Sequence, residues 1–236
     1  MTPNDIEQTI NEGAKITRLL VEDQEMASNS WSHFLTLHKF YTAQDGEWRT
    51  ALHKLSQSGR LFAILDALFR DTVMACLRLV DDDGKALSLV TIHKILSKEP
   101  VQNRLIDDFD KIPASNKEQA KDNIGRFLCY FPEKWPEPHK SGTFWPRKSW
   151  VPNDWELAEL RAEFTPLRNH RIAHRNKHER QYHIDRLDEF VRLNEKLLCI
   201  SAWLFHVRYT YALGDREKEA ADFWSYAKIG FVENSG

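Results

Sequence analysis

Apolar residues along this chain recur at steps of three and four, the period of helices with one buried face, and no Val/Ile/Thr alternation marks a strand anywhere. From Asn4 to about Tyr41 no proline intervenes, and Ile6, Ile10, Ile16, Leu20, Trp31 and Leu35 are interspersed with acids and bases. One or two long helices are expected there, with Asn4 or Asp5 as the N-cap. Asp45-Gly46 then reads as a turn. Phe62, Leu65, Phe69, Val73, Cys76 and Val80 mark the packed face of a second helix, interrupted or begun at Gly59.

Asp81-Asp82-Asp83-Gly84 follows and reads as a solvated turn. A metal loop needs further oxygen ligands at short intervals, and Lys85-Ala86-Leu87 supplies none. Ser88 suits the N-cap of a short helix from Leu89 to Ser97 that stops before Pro100. Val101 to Ile112 forms another amphipathic piece, Pro113-Ala114-Ser115-Asn116 breaks it, and Lys117 to Tyr130 is helical again.

Residues 131–152 depart from this pattern. Pro132, Pro136, Pro138, Pro146 and Pro152 alternate with Trp135, Trp145 and Trp150, which forbids a regular helix and leaves large rings in need of cover. The expectation is an irregular insertion folded back on the bundle. The sharper alternative is a stacking platform for bases, helped by Lys134, Lys140, Arg147 and Lys148.

Asn153 with Glu156 resembles a capping box at the start of the next helix. A last long helix is expected from Ile184 to Ala212, with Phe190, Leu193, Leu197, Ile200, Leu204, Val207 and Tyr211 as a continuous seam. A second stripe, Leu187, Val191, Leu198 and Phe205, implies burial on two sides, one against the chain's own bundle and the other against a partner helix. Gly214 ends this helix, and Asp215 to Tyr226 adds a short one anchored by Phe223 and Trp224. The pattern predicts an all-α antiparallel bundle with additional short helices, as a single domain over residues 1–236.

Composition narrows the function classes. With 236 residues, 42% hydrophobic and 29% charged, the chain has the makeup of a soluble globular protein with one sizeable core. A net charge of -2 argues against a general nucleic-acid coat and leaves room for a local anion site. Cys76, Cys129 and Cys199 form no CxxC pair and no even set, so neither a disulfide framework nor a zinc knuckle is expected. The N-terminus lacks a basic region followed by an apolar run, and a cytoplasmic, non-membrane protein is expected.

Against that neutral background, Pro166 to His178 carries three arginines, one lysine and three histidines with no acid among them. Arginine forks two donors onto a phosphate, and histidine titrates unassisted near neutral pH, a pairing suited to phosphodiester chemistry. On one continuous helix Arg175 would lie about 20° from Arg168, Arg171 about 60° and His174 about 120° away. Arg168 and His174 are too far round the axis to meet on one phosphate from a straight helix. A bend after Pro166, or a second copy of the chain, is therefore expected to complete the site.

A metal site built on His170, His174 and His178 is disfavoured, because a third histidine in series is poorly placed for a tetrahedral ion. A purely structural role would pair Arg168 with an internal acid such as Asp81 and bury His174. The crowding of positive charge without acids favours an anion site instead.

Arg78-Leu79-Val80-Asp81, Leu87-Ser88-Leu89 and Leu167-Arg168-Asn169-His170-Arg171-Ile172-Ala173-His174 together resemble the HEPN domains, specifically the abortive-infection (AbiU-type) branch. The likeness covers about residues 60 to 210, apart from the tryptophan and proline insertion. It implies a small helical bundle and, as in many of that superfamily, a metal-independent endoribonuclease without a cofactor. The family's mark is an Arg, usually followed by a polar residue, with a His shortly after. Arg168, Asn169 and His174 fit it.

On that resemblance His174 is the general acid or base, Arg168 holds the scissile phosphate, and Asn169 orients one of them or bonds a phosphate oxygen. Arg171, Arg175, Lys177 and His178 guide the RNA. A homodimer is implied, with an antitoxin protein as a further partner. The alternative it leaves open is a catalytically silent HEPN module that binds a partner protein or a nucleotide in a defence operon.

Overall fold

Thr2 and Pro3 start the first helix, α1 (Pro3–Thr42). The Thr2 backbone N–H donates to Asp5 Oδ2 at 2.8 Å, and the Asp5 N–H donates to Thr2 Oγ1 at 3.2 Å. This is the reciprocal form of a capping box, so the N-cap is Thr2 and not Asn4 or Asp5. Proline explains the shift: its missing N–H and preset φ suit the first helical position, and the cap must stand just before it.

The computed structural model describes residues 1–42, 52–53, 59–110, 117–132, 156–166, 184–209 and 213–233, and of residues 213–214 and 226–233 the backbone alone. Among them the chain is helical and carries no strand. After α1 come α2 (Arg60–Leu79), α3 (Leu89–Leu96), α4 (Glu99–Phe109), α5 (Lys117–Cys129), α6 (Glu156–Pro166), α7 (Ile184–Leu204) and α8 (Leu213–Glu233). No helix among the described residues is long and apolar enough to cross a membrane. The expected turn at Asp45-Gly46, the insertion beyond Pro132 and the Asn153 cap lie outside the described residues.

Gly59, at φ 72°, begins α2, and its carbonyl accepts the Ala63 N–H at 3.1 Å. Ser88 caps α3 as its sequence position predicts, accepting the Thr91 N–H and donating from its hydroxyl to the Asp81 carbonyl at 2.6 Å. The aspartate run before it is a turn held by its own side chains. Asp81 Oδ1 accepts the Asp83 N–H and Asp83 Oδ1 accepts the Lys85 N–H, each at 3.1 Å.

Three expected boundaries move. The helix expected from Val101 begins at Glu99, because Pro100 sits in the first turn, where no intrahelical N–H is needed. The long helix expected to reach Ala212 stops at Leu204. There His206 turns left-handed at φ 53°, and the Val207 N–H reaches back to the Ala202 carbonyl at 2.8 Å, a Schellman-type stop made without glycine. Gly214 then lies inside the first turn of α8, which runs well beyond Tyr226 to Glu233.

The chain divides into two compact units, Met1–Gln24 with Cys76–Tyr211, and Glu25–Ala75 with Ala212–Gly236. In the first unit α7 is the central strut, with α3, α5 and α6 packed on it. Its core holds Ile16, Leu20, Leu79, Leu89, Leu96, Leu105, Phe127, Leu160, Phe164, Phe190 and Leu197. Gly13 of α1 gives way to the Phe205 ring so closely that a Cβ there would stand 2.5 Å from two ring carbons. Leu187, Val191, Leu198 and, just past the helix end, Phe205 are buried within the chain, as are Phe190, Leu193, Leu197 and Leu204 of the other stripe, whereas Ile200 and Val207 are half-buried. The second stripe is covered by the chain itself, because this helix runs through the middle of the unit.

The second unit is cored by aromatic rings. Trp31 stacks on Phe34 at 5.2 Å between centroids, and Phe34 meets Phe69 at 5.7 Å. Phe223 and Trp224 of α8 lie edge-on to His33, while Arg216 donates to the Glu25 carbonyl and Asn29 Oδ1.

Candidate functional site

Pro166 is the last residue of α6 and Ile184 the first of α7, so the cationic stretch is the connection between these two helices. Arg168, Asn169, Arg171, His174, Arg175, Lys177 and His178 all lie outside the described residues, as does His170. The flanking helices are described over residues 156–166 and 184–204.

Leu157, Ala158, Leu160, Ala162, Phe164 and Thr165 bury α6 on most of its circumference. The charged groups near the end of α6 face acids and bases across the fold. Arg186 Nε, in the first turn of α7, donates to Glu163 Oε2 at 3.0 Å, and the same guanidinium pairs with Glu189 one turn on. The Glu163 and Arg186 side chains are 25% and 23% exposed, so this pair is partly withdrawn from water. One residue along, Phe164 stacks on Phe190 with centroids 5.6 Å apart and planes 8° from parallel.

Burial works against the Arg186 charge, but hydrogen bonds and charge from Glu163 and Glu189 outweigh it and hold the guanidinium above arginine's ordinary value. Other arginines of the first unit are also paired with acids. Arg161 pairs with Asp82 of the aspartate turn, and Arg192 Nε meets Asp188 Oδ2 at 2.7 Å. Arg78, one of the residues that carry the family resemblance, forks Nε and Nη2 onto Asp23 Oδ1 at 2.9 and 2.8 Å. The Arg161 and Arg78 guanidiniums tie separate elements together, while Arg192 pairs within α7 itself.

Sequence reasoning treats α7 as an apolar seam and passes over what else it carries. Asn194 and Glu195 are both buried, at 0% and 1% exposure. The Tyr209 hydroxyl donates to Glu195 Oε1 at 3.3 Å, and Gln24 Nε2 donates to the Val191 carbonyl at 3.4 Å. Glu195 stands four residues after Val191 and three before Leu198, on the second predicted buried stripe, and that register was the available signal. The Glu163–Arg186–Glu189 cluster is likewise missing from the sequence reading. Only the Arg186 to Glu189 step is visible in sequence, since Glu163 is brought in by the packing of α6 on α7.

The thiols offer no buried nucleophile. Burial pushes Cys76 up to about 12, against a hydrogen bond from Asn194 and the charge of Arg78. Burial, with the neighbouring charge of Glu195, pushes Cys199 up to about 11, while Cys129 is exposed at the end of α5. Among the described residues no group of three histidines, cysteines or acids is placed to hold a metal ion. No family model, curated protein or solved structure matches this chain.

Proposed function

We propose that the chain is a HEPN-like, metal-independent endoribonuclease of an abortive-infection or toxin-antitoxin system, acting in the cytoplasm as a homodimer. RNA carries its own nucleophile in the 2′-hydroxyl, so the protein has only to move protons and offset charge. His174 moves the proton, Arg168 holds the scissile phosphate, and Asn169 orients one of them or bonds a phosphate oxygen. Arg171, Arg175, Lys177 and His178 guide the strand. A twofold dimer supplies a second copy of the motif to the same groove, and an antitoxin protein restrains the activity.

The observation that carries this reading is the contrast in charge at the α6–α7 junction. The stretch from Pro166 to His178 holds seven basic or titratable cationic residues without an acid, while Arg161, Arg186 and Arg192 on the flanking helices already pair with acids. An anion such as a phosphate is a natural counterpart for so acid-free a cluster of cations. The helical character of the described residues agrees with a bundle of the HEPN kind.

The test is cleavage of a mixed RNA by purified wild type, Arg168→Ala and His174→Ala, with a chelator present throughout. Both variants are expected to lose about 10² to 10⁴ in rate, the range that positioned acid–base groups supply. Equal cleavage by all three proteins overturns the reading. Toxicity on expression in a bacterium, lost with His174→Ala, separates it from a silent binding module.

A further inference from the structure

We infer that residues 205–209 form a strap folded back along α7, closed as one unit by the left-handed backbone of His206 and able to open without unfolding the helix. The strap is seated on α1, α4 and α7 of the first unit and is independent of the ribonuclease reading.

Three side chains of this short segment are fastened to three different helices. The Phe205 ring is buried over Gly13 of α1. The His206 imidazole lies 4.8 Å from the ring of Phe109, the last residue of α4, and the Phe109 ring in turn stacks at 4.1 Å on Trp203 of α7. The Tyr209 hydroxyl donates to Glu195 Oε1 at 3.3 Å.

Glu195 stands nine residues before Leu204, the end of α7, or about 14 Å back along the axis at 1.5 Å per residue. Four residues of extended chain from 205 to 209 cover about the same length. Tyr209 therefore reaches Glu195 only because the chain reverses at the helix end, and the reversal is made at His206, where φ is 53°.

That conformation is sparsely populated for a residue with a side chain and persists where its surroundings hold it. Here the Phe109 ring holds the imidazole, and the Val207 N–H is fixed to the Ala202 carbonyl at 2.8 Å. Return of His206 to an ordinary backbone region sends the chain away from α7, so the Val207 and Tyr209 bonds break together. Opening exchanges the Tyr209 hydroxyl for water at Glu195, a carboxylate only 1% exposed when the strap is closed. The strap is thus a conformational device over the one acid in the buried face of α7.

Native-state hydrogen exchange, read residue by residue as protection factors, tests this. The amides of Phe205 and Val207, bonded to the Ser201 and Ala202 carbonyls, are expected to share one protection factor in wild type, below that of Leu197 and Leu198 within α7. Phe109→Leu and Tyr209→Phe each loosen one seat, and each is expected to lower protection by about three- to tenfold, equally at Phe205 and Val207. His206→Ala keeps the strained backbone and loses the ring contact, whereas His206→Gly loses the contact and removes the strain. Glycine at this position is expected to leave the two amides about fivefold better protected than alanine.

Simple fraying from the end of α7 predicts otherwise: Val207 opens before Phe205, and Tyr209→Phe leaves Phe205 as it was. Either result overturns the proposal, as does equal protection in His206→Ala and His206→Gly. Tyr209→Phe removes a single hydroxyl from a half-buried ring, so it decides alone should Phe109→Leu fail to fold.

Discussion

A methyl group at Gly13 has no room, because the Phe205 ring occupies the space it needs and that ring is itself buried. Gly13→Ala is expected to destabilise the protein by about 1–3 kcal/mol, the usual cost of overpacking a filled core, measured as a lower urea midpoint. An unchanged midpoint means that the ring moves aside freely. No sequence signal marks this glycine, since it lies inside an ordinary helical run and meets Phe205 only through tertiary packing. Ser88 is the opposite case: its cap is legible from a polar residue placed just before an apolar helical run. His206 takes the left-handed conformation that sequence reasoning reserves for glycine or asparagine, which is why the end of α7 was displaced.

At the level of the helices, most of what the apolar period predicts is present. α2, α3, α4 and α5 appear within a few residues of their expected places, because each buries one face and the period of three and four reads that face directly. Prolines and glycines misled at the margins, since Pro100 and Pro3 start helices and Gly214 lies within one. The Ser88 hydroxyl ties the α3 cap to the aspartate turn through the Asp81 carbonyl, so its loss affects two pieces at once. Ser88→Ala is expected to cost about 1 kcal/mol or somewhat more, seen in chemical denaturation, with faster amide exchange at Thr91 and Ile92. Exchange left unchanged at those amides means that the cap does not hold the first turn of α3.

For the molecule as a whole, both units contain neutral imidazoles set against rings. His33 and His38 belong to the second unit and His93, with its ring 4.8 Å from that of Phe131, to the first. Burial holds all three below the ordinary value of 6.5, with Lys94 adding to the effect at His93. Their contribution to stability is complete above 6.5, where folded and unfolded chains are both neutral. It declines as pH falls below 6.5, because the unfolded chain then takes up protons that the folded one resists. The urea midpoint is expected to be lower at pH 5.5 than at pH 7.5, with the difference reduced in His93→Gln. A midpoint that does not change, or rises, on acidification contradicts this.

The site was legible only as composition. Charge crowding from Pro166 to His178 is a property of the sequence, whereas the acids that neutralise Arg161, Arg186 and Arg192 include partners brought from other elements by folding.

The unequal thiols have a practical consequence. With Cys76 buried, Cys199 half-buried and both thiols pushed up in pKa, a maleimide reagent near neutral pH attaches first at the exposed Cys129. A limiting dose of nitroxide reagent therefore marks one position per chain, and a pulsed electron-resonance measurement on the labelled protein would report one inter-spin distance when two chains associate and none when they remain apart.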